Sequence, residues 1–593
     1  MLILGGGIVG LTLASALCTH CQLTTTTTKN QQQEQQERST PTSPQLRIYE
    51  AANEFVPDVG AGMGMYPNGC RVLHDIDTAL LQNVRAQGHD YQVRTWTSHD
   101  GTEIVTAQET VLSRPATSKH HHQPQSNRHD TDETDETEKA VNLESFGIRR
   151  WKLQEGLYRH VVEHCHVVDL VFGKRVARVD TTSSSRGHVR VQFTDHTYSP
   201  YTKVLFACDG GKSIIRTQML ASLTTTTTTK PTTTKGEEGG GWINGTSSSP
   251  TTSRTIEKED ASKIPELKYT GVTCLMGIAD FTRATTDDDD NQVVEMELER
   301  GISFPSSLVT KCHATFFPTS PREICFQFHF PIDRHTIDYD DDTSKLGWGQ
   351  LADAVQQEEC HKLATALTKD GWHDKYTRPL QYVTKAIQIG FATLTPPLQH
   401  WTFSNLPQQQ KEEKEEKEAS ESSKDAYFVA LVGDAAHPPV PYTGQGAQQG
   451  LEDAGTLALL LKEFCMENGT FDIQGPDSNE RLQTVMTLYE QIRIPRVQQI
   501  LQNSQDFGKM QQLRADSPKY NVIQSEKMQR QVFFHETLPV LLPGAQHDYR
   551  QDVEQTIAKY RKEQQQRAVE AAAHLPSLPE GTSGEETESS SKA

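Results

Sequence analysis

The strongest constraint on the fold lies at the start of the chain. "MLILGGGIVG" sets an apolar run, Leu2 to Leu4, directly against Gly5, Gly7 and Gly10 in G-x-G-x-x-G spacing, ahead of a helix-like segment from Ile8 to Cys18. Strand, glycine turn and helix in that order are what a bound pyrophosphate needs. Gly5 permits the tight turn, Gly7 lets the phosphates approach the main chain, and Gly10 lets helix and strand pack closely. Unpaired N–H groups at the helix start then face the anion. An acid is expected at the end of the second strand, usually about 20 residues on, to bind ribose hydroxyls. Glu50 ends the expected second strand, Leu46 to Glu50, at about twice that distance from Gly10, and the Thr/Gln tract from Thr24 to Ser43 accounts for the excess.

A second glycine turn follows more than four hundred residues later, in "LVGDAAHPPVPYTGQGAQQGLEDAG", Leu431 to Gly455. An expected buried strand, Tyr427 to Val432, leads into Asp434, a proline-stiffened turn at Pro438 and Pro441, and a helix from Ala447 to Cys465. Leu451, Ala454, Ala458, Leu461 and Cys465 recur at helical spacing. Further helices are expected over Trp151 to His164 and Leu351 to Leu367, and a buried strand over Val204 to Cys208. Between Tyr269 and Pro331, alternating runs such as "EICFQFHF" (Glu323 to Phe330) predict a sheet with one solvated face. After Cys465 helices are expected to dominate to about Arg561. The fold class that follows is α/β: a doubly wound domain with a second, antiparallel-rich one.

At 593 residues the chain suffices for two or three domains. Polar tracts at Thr24 to Ser43, Ser113 to Glu138, Thr224 to Ser253, Gln408 to Asp425 and after about Glu563 cannot bury enough apolar surface to offset ordering entropy, so disordered loops and a disordered tail are expected there. A formal charge of −20 argues against a nucleic-acid or anionic-membrane binder. Ten scattered cysteines suit a reducing compartment. Cys18 and Cys21 have redox-motif spacing without the matching context, and the histidines at 120–122 and 164–166 have no companion ligands, so no metal site is expected. No apolar run reaches the ~18–20 residues of a membrane helix. With the first strand at Leu2 there is no room for a signal peptide, so a soluble cytoplasmic protein is expected unless the true start lies upstream.

Three further segments make the pattern specific. "RRWKLQEGL" gives Arg150 with Leu153 and Leu157, and "ACDGGKSIIR" gives Asp209 and Gly210, then Ser213 and Arg216. "GDAAHPPVPYTGQG" is followed by "EDA". In this order, with "GAGMGMYPNGCRVL" (Gly60 to Leu73) and "YEQIRIPRVQQILQNS", they resemble the class A FAD-dependent monooxygenases, the group of salicylate and para-hydroxybenzoate hydroxylases, from Met1 to about Gln511.

The resemblance implies a Rossmann-like FAD-binding domain, a discontinuous substrate domain with a mixed or antiparallel sheet, and C-terminal helices. The FAD-binding parts would be residues 1–90, 141–222 and 401–470, with inserts at 24–43 and 408–425. The substrate domain would take 91–140, partly an insert, and 263–400. A low-complexity insert would fill 223–262, helices 471–565 and a disordered tail 566–593. Carried over by position, Glu50 would hold the adenosine ribose, Arg150 the adenosine-diphosphate part and Asp434 the ribityl chain. Gly444, Gln445, Gly446 and Ala447 would offer main-chain donors to the flavin's pyrimidine edge, with Gly62, Asp209 and Gly210 also at the cofactor.

The implied cycle is reduction of FAD by NADH or NADPH, reaction with O2 to a flavin C4a-hydroperoxide, and oxygen transfer to an aromatic or other small organic substrate, in a monomer or homodimer. No nucleophile triad is expected, since the flavin carries the hard chemistry, and no catalytic base is assigned. Where many relatives have an arginine five residues after the glycine of a Y-x-G strand, this chain has Met276 in "YTGVTCLMGIADF". That strand looks more like the one in zeaxanthin epoxidase, which leaves epoxidation of an apolar alkene or terpenoid as an alternative, alongside a flavoprotein interaction scaffold. Met276, His313, Gln327 and His329 are each read first as structural.

Overall fold

A computed structural model describes residues 1–23, 46–58, 60–109, 143–166, 168–181, 187–225, 265–283, 301–307, 310, 312–331, 349–350, 353–406, 426–512, 541 and 544–573. Most of the polar tracts lie outside the described residues, as do the histidines at 120–122.

Three short apolar segments far apart in sequence make the heart of a six-stranded sheet. Leu2–Leu4 lies between Leu46–Tyr49 and Val204–Ala207, and Val204–Ala207 pairs in turn with Phe428–Leu431, all parallel. The registers are Leu2 with Arg47, Leu2 with Leu205, and Val204 with Phe428. Val168–Val171 extends one edge in parallel, and Thr402–Ser404 closes the other antiparallel. The strands "LIL", "VLFA" and "FVAL" are buried throughout, as parallel strands covered on both faces must be. The helix expected from Ile8 runs to His20, and the one after the second turn spans Gly446–Cys465.

The second large sheet has eight strands, with the long strand Glu266–Asp280 between Val383–Thr395 and Glu323–Pro331. Its two faces differ. Leu275, Phe316, Ile324, Phe326 and Phe328 pack with Cys360, Trp372 and Tyr376 in one core. The opposite residues of "EICFQFHF" were expected to meet solvent; instead Gln327 and His329 line an internal cavity. The period-two alternation marks a polar face correctly but says nothing of what lies over it.

Residues Met1–Tyr549 form one compact unit and Arg550–Ala593 another. The latter holds the helix Tyr549–Ala573, which continues beyond residue 566, where the disordered tail was expected to begin. "QQQRAVEAAA" is polar yet rich in strong helix formers, so propensity carries the helix where core burial does not. Among the described residues no helix is long and apolar enough to cross a membrane.

The helices Ile8–His20 and Gly446–Cys465 meet where their glycines permit it. A Cβ on Gly450 would stand 2.5 Å from Cγ2 of Val9, and one on Gly433 3.0 Å from the same methyl. Gly450→Val is therefore expected to force the two helices apart and to destabilise the protein by about 1–3 kcal/mol, read as a lowered midpoint in chemical unfolding.

Candidate cofactor and substrate site

The first turn is built as its sterics require. Gly5 has φ 101°, and a Cβ there would run into the carbonyl of Cys208. A Cβ on Gly10 would collide with the Gly5 carbonyl, so helix and strand are packed main chain to main chain. Gly7 is the N-cap of the helix Ile8–His20, and a Cβ there would meet nothing within 4 Å. Gly7 lines a cavity of about 1460 Å³.

The second turn lines the same cavity through Asp434, Pro438, Gly444, Gly446 and Ala447. Gly444 is left-handed at φ 65°, and a Cβ there would lie 2.6 Å from Tyr66 Oη. Gly446 and Ala447 stand in the first turn of their helix, where N–H groups have no intrahelical partner. Arg150, Gly62 and Gly210 complete the set of expected cofactor residues on the cavity wall. A Cβ on Gly210 (φ 81°) would also meet nothing within 4 Å, whereas one on Gly62 would lie 2.7 Å from Cys325.

Gly5, Gly10, Glu50, Asp209 and Gln445 do not line the cavity. Glu50 sits beneath the first turn, its carboxylate accepting from Gly6 N at 2.6 Å and Ala52 N at 2.8 Å. Asp209 caps the helix Ile214–Thr225, accepting from Ile214 N at 3.0 Å, and its Oδ1 is buried with no hydrogen-bond partner among the described residues. Gln445 is buried, and its Oε1 accepts from Asn68 Nδ2 at 2.9 Å.

The electrostatics of the wall favour an anion beside a hydroxyl-rich chain. The Arg150 guanidinium makes no hydrogen bond or ion pair among the described residues. Burial lowers its pKa, against the pull of Asp434 and Glu50. Burial raises the pKa of Asp434, opposed by His437, Arg150 and Arg216. Arg216 ties two loops together, donating to the carbonyls of Gly211 and Ala435.

Sequence reasoning missed the network under the second turn. Asp453, fully buried, accepts from Gly433 N at 2.9 Å, His437 Nε2 at 2.7 Å and Arg493 Nε at 2.8 Å. Glu452 beside it accepts from Arg493 Nη1 at 2.6 Å and Asn68 Nδ2 at 2.7 Å. Two acids on the apolar face of a helix, and an arginine inside "YEQIRIPR", were the available signals. Burial alone would raise both acids, but Arg496 and Arg493 hold Glu452 below its usual range, as His437 and Arg493 do Asp453.

The remaining wall comes from the eight-stranded sheet: Met276, Ile302, Phe304, Phe317, Ile389 and Phe391 are apolar, with Thr315, Gln327 and His329 among them. Cys18 and Cys21, which have the spacing of a redox motif, do not line the cavity.

Arg493→Met strands two buried carboxylates and is expected to cost about 3–5 kcal/mol in chemical unfolding. Because the folded protein holds Glu452 and Asp453 below their ordinary values of 4.5 and 3.8, their contribution is fully present above those values and lost as pH falls below them. The variant should show a shallower loss of stability on acidification from pH ~5 to ~3 than the parent.

No family model matches the chain. It is 41% identical over 81 residues to the 3-amino-4-hydroxybenzoate 2-monooxygenase PtnB3 of Streptomyces platensis, and 40% identical over 86 residues to a salicylate hydroxylase of Pseudomonas putida. Each match covers 14% of this chain and spans only 17% of the relative's length. In three dimensions a salicylate hydroxylase substrate complex superposes with a TM-score of 0.54 at 15% identity, covering 94% of this chain and 97% of that one. Klebsiella pneumoniae HpxO, complexed with FAD and uric acid, gives 0.53 at 16% identity, covering 92% and 95%. The chain thus shares the mixed α/β fold of these two solved proteins, and over a short segment its sequence is similar to that of monooxygenases named for aromatic substrates.

Proposed function

We propose that the chain is an FAD-dependent monooxygenase that uses NADH or NADPH and O2 to oxygenate an aromatic or other small organic substrate. The observation that carries this reading is the shared cavity: two glycine turns more than four hundred residues apart open onto one space whose other wall is an apolar sheet. The volume suits a dinucleotide and a small substrate together, since pockets for one drug-sized ligand run to about 300–1,000 Å³.

The residues fit FAD. The open main chain at Gly7, the start of the helix Ile8–His20 and the unpaired Arg150 suit a diphosphate. Asp434 suits a hydroxylated chain, and the first turn of Gly446–Cys465 suits the electron-rich edge of a flavin. Glu50, already holding Gly6 and Ala52, would act on the adenosine ribose with its remaining lone pairs. Asp209, as a helix cap, and Gln445, through Asn68, would shape the cofactor site from behind. Six parallel-rich strands with the helix-bearing turns at their ends form, in this reading, a doubly wound FAD-binding domain assembled from 1–90, 141–222 and 401–470, and the eight-stranded sheet forms the substrate domain. Bound FAD supplies the acceptance of hydride and the activation of O2. The chain's own part is to orient the substrate over the apolar sheet and to keep water away from the reacting centre.

The relatives named for aromatic substrates support hydroxylation over epoxidation. Purified protein is expected to be yellow and to consume NADH or NADPH faster with a phenolic substrate. Asp434→Ala should lose most of its flavin on gel filtration; flavin content equal to the parent would contradict the assignment, as would substrate-independent NAD(P)H consumption across a broad phenol panel.

A further inference from the structure

The sheet side of the cavity contains one polar strip in an apolar floor. Thr315 lies opposite Gln327 in the ladder, and His313 lies opposite His329 two positions along the same face. The two imidazoles stack face to face, 4.3 Å between centroids and 6° from parallel, with Tyr442 of the second turn against both at 5.6 and 5.5 Å. Both histidines are buried, with 0% and 2% of their surface exposed, and none of their four ring nitrogens has a hydrogen-bond partner among the described residues.

Such an arrangement is expensive in a core. Each unpaired buried donor or acceptor carries a desolvation cost that a leucine or phenylalanine of similar volume avoids. Burial, and for His313 also its neighbour's charge, pushes the pair well down in pKa, to about 3 for His329 in spite of the nearby His313 main chain. Both rings are therefore neutral at working pH, each with one N–H and one bare nitrogen.

Only His329 of the two reaches the cavity, and it does so beside Gln327, Phe391 and Tyr442. Among the described residues of the eight-stranded sheet that line the cavity there is no lysine or arginine. The cations on the rest of the wall belong to the turns and their loops: Arg216 is bonded to main-chain carbonyls, Arg150 stands near Asp434 and Glu50, and Lys212 follows Gly211 on the loop. Among the described residues the sheet side of the wall therefore carries neutral polar groups and the carboxylate of Glu266, and no cation.

We propose that His329, backed by His313, is the residue that selects the substrate: it hydrogen-bonds the hydroxyl of an uncharged phenol-like ring and, for want of a cation on the sheet, this side of the site disfavours ring carboxylates. This deepens the monooxygenase reading and rests on it. It also separates this chain from relatives whose names denote hydroxybenzoate and salicylate.

Calorimetric titration of the flavin-loaded protein with 2-naphthol and with 2-naphthoate tests it, since the two probes share a ring system and differ in charge. The parent should bind 2-naphthol at least about tenfold more tightly. His329→Leu should lose that preference while keeping its flavin, and should melt no lower than the parent, because an unpaired buried group has been removed. His329→Gln, which restores a donor and an acceptor, should recover part of the preference. Equal or tighter binding of 2-naphthoate by the parent, or a full naphthol preference in His329→Leu, overturns the proposal, as does a marked drop in melting temperature that His329→Gln reverses without changing the preference. Flavin absorbance of the same samples separates the two readings. Flavin-free protein overturns the monooxygenase assignment, whereas a missing naphthol preference in flavin-loaded protein overturns the role of His329.

Discussion

One carboxylate holds the second turn in the shape the cavity needs. Asp453 gathers the Gly433 N–H, the His437 imidazole and the Arg493 guanidinium in a fully buried place. Three groups, two from the second turn and one from a helix forty residues on, are thereby fixed around a single charge, and a buried charge tolerates no loose partner. Gly433 in turn packs on Val9, so the acid reaches through one glycine to the helix of the first turn. Remove the restraint and Asp434, the next residue, keeps only the Arg216 contacts to its own and the following carbonyl to hold it at the cavity wall. The polar interior here is best understood as a positioning device, since an apolar replacement of similar volume would be no worse for stability alone.

The wall divides its labour by chemistry. On the turn side are main-chain N–H groups, a cation without an ion-pair partner among the described residues, and an acid whose proton affinity is raised by burial. On the sheet side are aromatic and aliphatic side chains with a few neutral polar groups and one acid, Glu266. A low-dielectric floor strengthens every hydrogen bond made above it, which is the setting a water-sensitive oxygen transfer requires. The left-handed Gly444, pressed against the Tyr66 hydroxyl, marks where main chain rather than side chain must border that space.

What could be read from sequence followed from local sterics. Gly5 and Gly10 announce themselves because no other residue fits a strand that turns at once into a helix packed on it, and the helices starting at Ile8 and near Ala447 follow from their apolar spacing. What stayed hidden depends on partners distant in sequence. Nothing near Glu452 and Asp453 reveals that Arg493, forty residues on, comes to them. Alternation in "EICFQFHF" distinguishes two faces but not a cavity from bulk water, so it was not legible that Gln327 and His329 face the cavity. Glu50 was legible as an acid at a strand end, but its grip on Gly6 and Ala52 depends on the turn's three-dimensional course.

The strand order has a consequence for how the molecule comes into being. Leu2–Leu4 is flanked by Leu46–Tyr49 and by Val204–Ala207, and the latter waits for Phe428–Leu431. A nascent chain therefore carries its first strand, one side unpaired, through the synthesis of some two hundred residues, and the central sheet is incomplete until more than four hundred have emerged. Non-local parallel pairing of this kind is slow and leaves sticky edges open meanwhile. Chaperones that cover such edges during synthesis suit a sheet whose strands are made this far apart.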